Sequence, residues 1–396
     1  MQGSVTAKCA KGHRRAEGRC SSRCTRWYFI TEGPRTADGK RRRLWSASFP
    51  TRKAAEQALR VELTRRDQGI VLDHERLSLA EYAERWLSHM ATTREPATVW
   101  RYRQLPEAHV LPTLGGRQLK ALQPLEVQAL YDQLATSGRR DGAGGLHPRT
   151  VGHVHRCLHK ALRQAMKWHL VARNVCADLE PPKVPAASMV TLTSEQARRL
   201  LELAEGWLHT LVMLGAATGA RRGELLALRW ADVDLDAGTV RIARSLGLVG
   251  GELHWKAPKS EAGARTIVLG PSVVAELRRH RSEQLERRLI FGPAYRADLD
   301  LVVAKIDGGP IRPDYCSAAF RELVRKAELP ASVHVHTLRH SAGSFLAAAG
   351  VPPSDIAAQL GHKDGGALAL RVYVHPMVEG LARAGAHLDS VLAGVQ

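Results

Sequence analysis

The sequence has few cysteines and no long apolar run, and both shortages exclude whole classes of protein. Six cysteines in 396 residues are too few for a disulfide-stapled scaffold, so we expect reduced thiols. No segment approaches the roughly 18 consecutive apolar residues of a membrane span, and the N-terminal segment lacks the apolar core of a secretory signal. Together these shortages predict a cytoplasmic protein without a membrane partner.

Acidic residues are also scarce relative to basic ones. The chain has 39 Asp and Glu against 58 Lys and Arg, a formal net charge of +19 at pH 7. An excess of this size indicates a polyanionic partner, and nucleic acid is the usual one. The length predicts two or three domains, and a hydrophobic content of 44% is that of ordinary globular domains.

The positive charge is concentrated near the N-terminus, where the first 53 residues hold 14 basic and three acidic side chains. We predict a basic tail over residues 1–25. Four of its side chains could alternatively bind one zinc ion, namely Cys9, His13, Cys20 and Cys24. The Cys-x3-Cys spacing is looser than that of most zinc sites, so we assign no metal ligand.

Residues 26–70 predict a small sheet followed by a helix. Apolar and polar positions alternate between Arg26 and Phe49, which is typical of a short antiparallel sheet. Thr51 can cap the helix that follows. A basic run before the last strand provides three candidate DNA contacts, namely Arg41, Arg42 and Arg43.

Residues 77–180 predict an all-helical domain. Ser78-x-x-Glu81 is a capping box, and prolines at three further positions suit the first turn of a helix, namely Pro96, Pro124 and Pro148. The last of these helices carries basic residues at spacings of four, three and four, namely Arg156, Lys160, Arg163 and Lys167. This basic stripe could contact DNA phosphates, although a solvated helix face has the same pattern.

A proline-rich linker at residues 181–189 leads into a final domain at residues 190–387 and a short tail at residues 388–396. Thr193-x-x-Gln196 is a second capping box. Alternating apolar residues within residues 239–269 predict a small antiparallel sheet among helices. The expected class is therefore multidomain α+β, with a small N-terminal sheet and helix, an all-α domain, and a mainly α domain containing a small antiparallel sheet.

The final domain carries four short motifs in a fixed order. Arg221 lies in Ala-Thr-Gly-Ala-Arg-Arg-Gly-Glu, and His336 and Arg339 form His-x-x-Arg. His362 ends Leu-Gly-His, and Tyr373 begins Tyr-x-His. This order resembles the tyrosine recombinase, or phage integrase, family.

The resemblance is strong over residues 191–387 and looser before them. It implies an arm-type DNA-binding domain at residues 26–70, a SAM-like core-binding domain at residues 77–180, and a catalytic domain at residues 190–387. In this family, the first two domains hold DNA and the third cuts it.

The chemistry of phosphodiester cleavage explains several of these residue types. Nucleophilic attack builds a second negative charge on the phosphate oxygens, and fixed donors must stabilise that charge. Arg221 and Arg339 suit this role because a guanidinium binds two oxygens and stays protonated. His336 can donate to phosphate or move a proton near neutral pH. A metal cluster of His334, His336 and His340 is the less favoured alternative.

The remaining roles come mainly from the resemblance. Tyr373 would be the nucleophile and His362 a further phosphate donor, while Glu224 is close enough on its helix to support a basic group. In this family a hairpin lysine protonates the leaving 5′-oxygen. Lys259 fits that role best here, with Lys256 as the alternative.

The resemblance implies a site-specific integrase of a phage or other mobile element, acting on DNA in a bacterial cytoplasm. It would cleave and rejoin strands through a 3′-phosphotyrosyl intermediate, without a cofactor because the covalent link conserves the bond energy. Expected partners are double-stranded DNA attachment sites and a homotetramer in the synaptic complex, with an excisionase and a DNA-bending protein as further candidates. A type IB-like topoisomerase and a non-catalytic DNA-binding regulator are the alternatives.

Overall fold

A computed structural model describes most of the chain, over residues 3–9, 25–32, 43–67, 77–184, 189–256, 264–361 and 366–367. The chain divides into two units, Met1–Pro185 and Ala186–Gln396, and the division falls inside the linker expected from the sequence. Both units are mainly helical with small antiparallel sheets, so the predicted fold class is confirmed. No helix in these described ranges is long and apolar enough to cross a membrane.

The first unit begins with a three-stranded antiparallel sheet and a helix. The strands are β1 (Ser4–Cys9), β2 (Thr25–Glu32) and β3 (Arg43–Trp45), in the order β1-β2-β3, and α1 spans Arg52–Asp67. Thr51 caps α1 as predicted, because its hydroxyl accepts the backbone N–H of Ala54 at 3.2 Å.

Strand β1 differs from the basic tail that we expected over residues 1–25. Val5 lies opposite Phe29, and Ala7 lies opposite Trp27. These cross-strand apolar pairs stabilise the strand, and their partners are too distant in sequence for local composition to reveal them. Of the four candidate zinc ligands, Cys9 ends β1, whereas His13, Cys20 and Cys24 lie outside the described residues.

The rest of the first unit is helical. Its helices are α2 (Leu79–Ala91), α3 (Pro96–His109), α4 (Leu111–Leu114), α5 (Pro124–Ser137) and α6 (Pro148–Lys167). The Ser78 and Glu81 capping box is present, and the three prolines occupy first turns as predicted. The short α4 was not predicted, because a single turn shows no periodicity.

The helical core of the first unit is built on large aromatic side chains. Tyr82, Trp86 and Tyr131 are almost fully buried among the helices. The Tyr82 hydroxyl donates to the carbonyl of Ala161 on α6 at 2.5 Å, so its polar end is satisfied inside the core.

The second unit combines seven described helices with two small sheets. The helices are α7 (Ser194–Leu203), α8 (Gly206–Thr218), α9 (Arg222–Leu225), α10 (Pro271–Phe291), α11 (Pro313–Lys326), α12 (Val335–Ala348) and α13 (Pro353–Leu360). One antiparallel sheet has the order β4-β5-β8, and its strands are β4 (Val233–Asp234), β5 (Thr239–Ile242) and β8 (Arg265–Val268). The strands β6 (Ser245–Val249) and β7 (Glu252–Lys256) form a hairpin. The predicted Thr193 and Gln196 capping box begins α7.

Helices α8 and α12 pack closely in the core of the second unit. α8 is apolar because it is buried on most sides, including Leu211 and Leu214. A Cβ atom on Gly215 would lie 2.8 Å from Leu338 of α12, so the glycine permits this close approach. The packing places the C-terminal end of α8 beside the helix that carries the His-x-x-Arg motif.

We predict that Trp86→Ala will destabilise the helical part of the first unit by about 3–5 kcal/mol, because it removes a buried aromatic side chain and leaves a cavity. Trp86 is 1% exposed and contacts Tyr102 edge-to-face at 5.4 Å between ring centroids. Urea unfolding measures the loss. Trp100→Ala is the matched control, because Trp100 is 37% exposed and should cost less than about 1 kcal/mol. Equal losses would contradict the assigned core.

Candidate active site

Arg221 is fixed by a carboxylate at the start of α9. Gly219 ends α8 in the left-handed conformation, and Arg221 follows as the N-terminal cap of α9. Glu224 accepts the backbone N–H of Arg221 at 2.9 Å and its Nη1 at 2.8 Å. The Arg221 side chain is nevertheless 45% exposed, so its guanidinium is both oriented and accessible.

Glu224 binds a second arginine in addition to Arg221. Its Oε2 accepts from Nη2 of Arg265 on β8 at 2.9 Å, and its side chain is only 10% exposed. Burial alone would raise the pKa of Glu224, but the hydrogen bonds and charges of Arg265 and Arg221 outweigh it and lower the pKa below its usual value. Glu224 is therefore an ionised carboxylate at neutral pH.

Arg265 was not identified from the sequence. Its side chain is 7% exposed, and its Nε donates to the carbonyl of Gln359 on α13 at 2.6 Å. Within the described part of the chain, its buried Nη1 has no hydrogen-bond partner. One signal could have found it, because β8 alternates buried and exposed positions and places Arg265 on the buried side with Ile267. A charge at an inward strand position requires a partner.

His336 and Arg339 lie on α12 but in different environments. Arg339 is only 2% exposed, and its Nη1 donates to the carbonyl of Gly219 at 2.9 Å. His336 is exposed and lines a cavity together with Arg221. Arg339 therefore anchors the turn before Arg221, while His336 faces the open site.

The cavity beside Arg221 is rich in basic and hydroxyl groups. Its volume is about 450 Å³, and its described lining is Arg221, Arg222, Gly223, Ser245, Leu246, Ser317, Arg321, His334, Val335 and His336. None of these lining residues is acidic. Arg222 donates to the hydroxyl of Ser317. A lining of this composition favours an anionic ligand.

His336 is neutral at physiological pH. Burial of part of the ring, together with the charges of neighbouring groups that include His340, Arg339 and Arg221, lowers its pKa to about 4. The His340 ring contacts it edge-to-face at 4.7 Å between centroids. The metal alternative finds no support here, since no group of three His, Cys, Asp or Glu side chains among the described residues could hold an ion.

Three of the predicted catalytic residues, Lys259, His362 and Tyr373, lie outside the described residues. Lys256, the alternative general acid, ends β7 and pairs with Ser245, one of the residues that line the cavity. The structure therefore places Arg221, Glu224 and His336 at one site and puts Arg339 directly behind the turn that leads to it.

Only some of the predicted DNA contacts lie within the described residues. Arg41 and Arg42 lie outside the described residues, and Arg43 begins β3. On α6, three members of the basic stripe are exposed, namely Arg156, Arg163 and Lys167. Lys160 is half-buried, because its Nζ donates to the Tyr102 hydroxyl at 3.1 Å and lies 4.6 Å from the centre of that ring.

Two family models and several relatives match the chain. The phage integrase family matches residues 190–379, and the phage integrase N-terminal SAM-like domain matches residues 78–135. An integrase of Streptomyces ambofaciens is 28% identical over 348 residues, which cover 84% of this chain and 86% of the relative. A XerC-like tyrosine recombinase of Caldanaerobacter subterraneus is 24% identical over 345 residues, which cover 82% of this chain and 86% of the relative.

Solved structures share the fold. The Tn1549 transposon integrase in complex with transposon right end DNA has a TM-score of 0.65 at 18% identity, covering 79% of this chain and 100% of that chain. A lambda integrase tetramer bound to a Holliday junction has a TM-score of 0.54 at 17% identity, covering 88% of this chain and 92% of that chain. At such identities the likeness concerns the fold alone.

The motif order, the basic cavity and the family matches define one class of protein, and the chain belongs to the phage integrase family of tyrosine recombinases. Within this family it is a site-specific recombinase, the integrase of a phage or other mobile element. The sequence prediction of the family and of the enzyme class is thus confirmed.

We predict that Gly361→Ala will cost more stability than Gly350→Ala. Both glycines have a left-handed backbone, with φ of 67° and 78°, so both substitutions should cost about 1 kcal/mol in backbone strain. A Cβ on Gly361 would also lie 3.0 Å from Nη1 of Arg265, whereas none of the described atoms lies within 4 Å of a Cβ on Gly350. Overpacking should add about 1–3 kcal/mol at Gly361. Urea unfolding of the full chain measures both, and equal losses would refute the close contact.

Proposed function

We propose that Tyr373 cleaves DNA by direct attack on a phosphodiester held beside Arg221 and His336. The observation that carries this proposal is the orientation of Arg221, whose exposed guanidinium is fixed by Glu224 at the edge of a cavity without acidic lining. Donors oriented in advance lower the barrier because they need no reorganisation as charge develops.

In the proposed reaction, the Tyr373 hydroxyl gives its proton to solvent, its oxygen forms a bond to phosphorus, and the bond from phosphorus to the 5′-oxygen breaks. The DNA 3′-phosphate is then linked to tyrosine, and the leaving 5′-oxygen takes a proton from Lys259. Attack by a 5′-hydroxyl of the partner strand reverses these steps and rejoins the DNA. The energy of the broken bond is retained in the phosphotyrosyl link, so the chemistry balances without ATP.

The cationic groups have distinct tasks in this proposal. Arg221 donates to the non-bridging oxygens, and His362 supplies a further donor. Arg339 is committed through Nη1 to the carbonyl of Gly219, so it holds the turn before Arg221 and adds positive field. His336 is a neutral imidazole before DNA binds, and its N–H can donate to phosphate without requiring a protonated ring.

We propose double-stranded attachment sites as the substrate and a homotetramer as the synaptic form. The related lambda integrase forms a tetramer bound to a Holliday junction, and the related Tn1549 integrase binds transposon end DNA. The exposed arginines Arg156 and Arg163 and Lys167 of α6 would contact backbone phosphates. The N-terminal sheet would be the arm-type domain, with β1 included, and Arg41, Arg42 and Arg43 would contact DNA there.

The same proposal includes the setting in which the protein works. Several relatives come from bacteria and one from a mycobacterial phage, so we place this integrase on DNA in a bacterial cytoplasm. An excisionase and a DNA-bending protein would set the direction of recombination.

We predict that Tyr373→Phe will abolish covalent attachment to DNA, because phenylalanine has no oxygen to bond to phosphorus. The substrate is a nicked attachment-site duplex that loses its short 5′-hydroxyl fragment after cleavage, and the product is a slow protein–DNA band on a denaturing gel. Tyr315→Phe is the matched control, since Tyr315 is 55% exposed on α11, and it should keep the band.

A wild-type protein that binds the site tightly but forms no covalent band would favour the non-catalytic regulator. A covalent band in Tyr373→Phe would show that another residue is the nucleophile. A covalent complex that rejoins only its own strand, with no exchange between two sites, would favour the topoisomerase.

We predict that DNA binding will raise the pKa of His336 from about 4 by at least about one unit, because a nearby phosphate favours the protonated ring. The complex then takes up a proton, so affinity should increase as the pH falls from about 6 towards 4, the range around the free and bound pKa values. Titration of histidine ring signals by NMR, with and without an uncleavable duplex, measures the shift. His280 is the control, because it is buried in α10 and hydrogen-bonded to Val302. An unchanged His336 signal would remove it from the phosphate site.

A further inference from the structure

Arg265 joins three segments that carry or adjoin the candidate catalytic groups. Its Nη2 binds Glu224 on α9, and its Nε binds the Gln359 carbonyl near the end of α13. Its own strand, β8, begins six residues after Lys259. Arg221 reaches the same helix end, because its Nη2 lies 3.4 Å from the carbonyl of Gly361.

The charges in this group do not cancel. Arg221 and Arg265 are both cations because guanidinium groups stay protonated in proteins, and Glu224 is an ionised carboxylate between them. The three groups therefore keep one net positive charge. Glu224 and Arg265 are buried, whereas the Arg221 side chain is 45% exposed. A ligand in the cavity therefore meets the positive charge of Arg221 first.

Without Arg265, Glu224 would have two opposing effects on Arg221. A carboxylate that grips both the backbone and the side chain of Arg221 orients the guanidinium, but it also neutralises the charge that a phosphate must meet. In the structure, one carboxylate oxygen of Glu224 accepts from the Arg221 side chain and the other from Arg265. The positive charge of the buried Arg265 then offsets the negative field of the carboxylate.

We propose that Arg265 is a positioning residue that balances the charge of Glu224, so that Glu224 orients Arg221 without cancelling its attraction for the DNA phosphate. This role rests on the proposed function of Arg221, and it belongs to a residue that does not touch the DNA. The hydrogen bond from Arg265 to the Gln359 carbonyl also connects Arg265 to the end of α13.

The first test compares single-turnover cleavage by three variants. Arg265→Met removes the charge and should slow cleavage by about 10–100-fold, somewhat less than the loss of a direct oxyanion donor, while DNA affinity changes by less than about threefold. Arg265→Lys keeps the charge and should stay within about fivefold of wild type. Adding Glu224→Gln to Arg265→Met restores the net charge and should recover at least about fivefold over Arg265→Met alone.

A purely structural role predicts a different order. Arg265→Lys would then be as slow as Arg265→Met because both lose the contact with Gln359, and the double variant would be no faster than the single one. Either result overturns the proposal. The matched control is Arg229→Met, because Arg229 makes a two-bond pair with Asp232, whose side chain is 8% exposed. It should lower thermal stability comparably and leave the cleavage rate unchanged.

The second test needs no cleavage activity. The groups that lower the pKa of His336 include His340, Arg339, His334 and Arg221. In Arg265→Met, Glu224 pairs with Arg221 alone, so the positive potential at His336 should fall and the His336 pKa should rise. The double variant should return it towards the wild-type value. An unchanged His336 pKa in Arg265→Met would overturn the proposed charge balance, even if the wild type cleaves DNA. If the His336 pKa shifts as expected but the wild type does not cleave DNA, the proposed function is refuted instead.

Discussion

The carboxylate of Glu224, shared between Arg221 and Arg265, is the interaction on which the second unit depends. It lies at the junction of the short helix α9, strand β8 and, through Arg265, helix α13. A buried carboxylate without a cationic partner would destabilise the fold. Burial of Glu224 therefore depends on its ion pairs with both arginines. The same requirement brings residues from distant parts of the sequence together around Arg221.

The site combines two charged arginines with a neutral histidine. Arg221 and Arg339 are cationic at every physiological pH, whereas His336, on the same helix as Arg339, is neutral because its pKa is lowered to about 4. In the proposed function, the arginines bind the DNA phosphate, and their attraction for it grows as negative charge builds on its oxygens. Stabilisation that grows along the reaction lowers the barrier more than uniform binding does.

Local signals in the sequence predicted much of this structure. The capping boxes at Ser78 and Thr193 and the prolines in first turns depend only on neighbouring residues, and they marked helix starts correctly. Arg221 was identified from its short motif, and Glu224 from its position three residues further along the same helix. Strand β1 and the inward-facing Arg265 were missed, because both are stabilised by partners far along the chain. The burial of Arg339 was not foreseen for the same reason, since its acceptor is the carbonyl of Gly219.

The close approach of Gly361 to Arg265 links two positions nearly a hundred residues apart in the chain. A Cβ at position 361 would lie 3.0 Å from Nη1 and 3.3 Å from Cδ of Arg265, so the arginine side chain would have to shift to admit it. Evolutionary drift at either position is therefore restricted by the other, and the two should covary among homologous integrases.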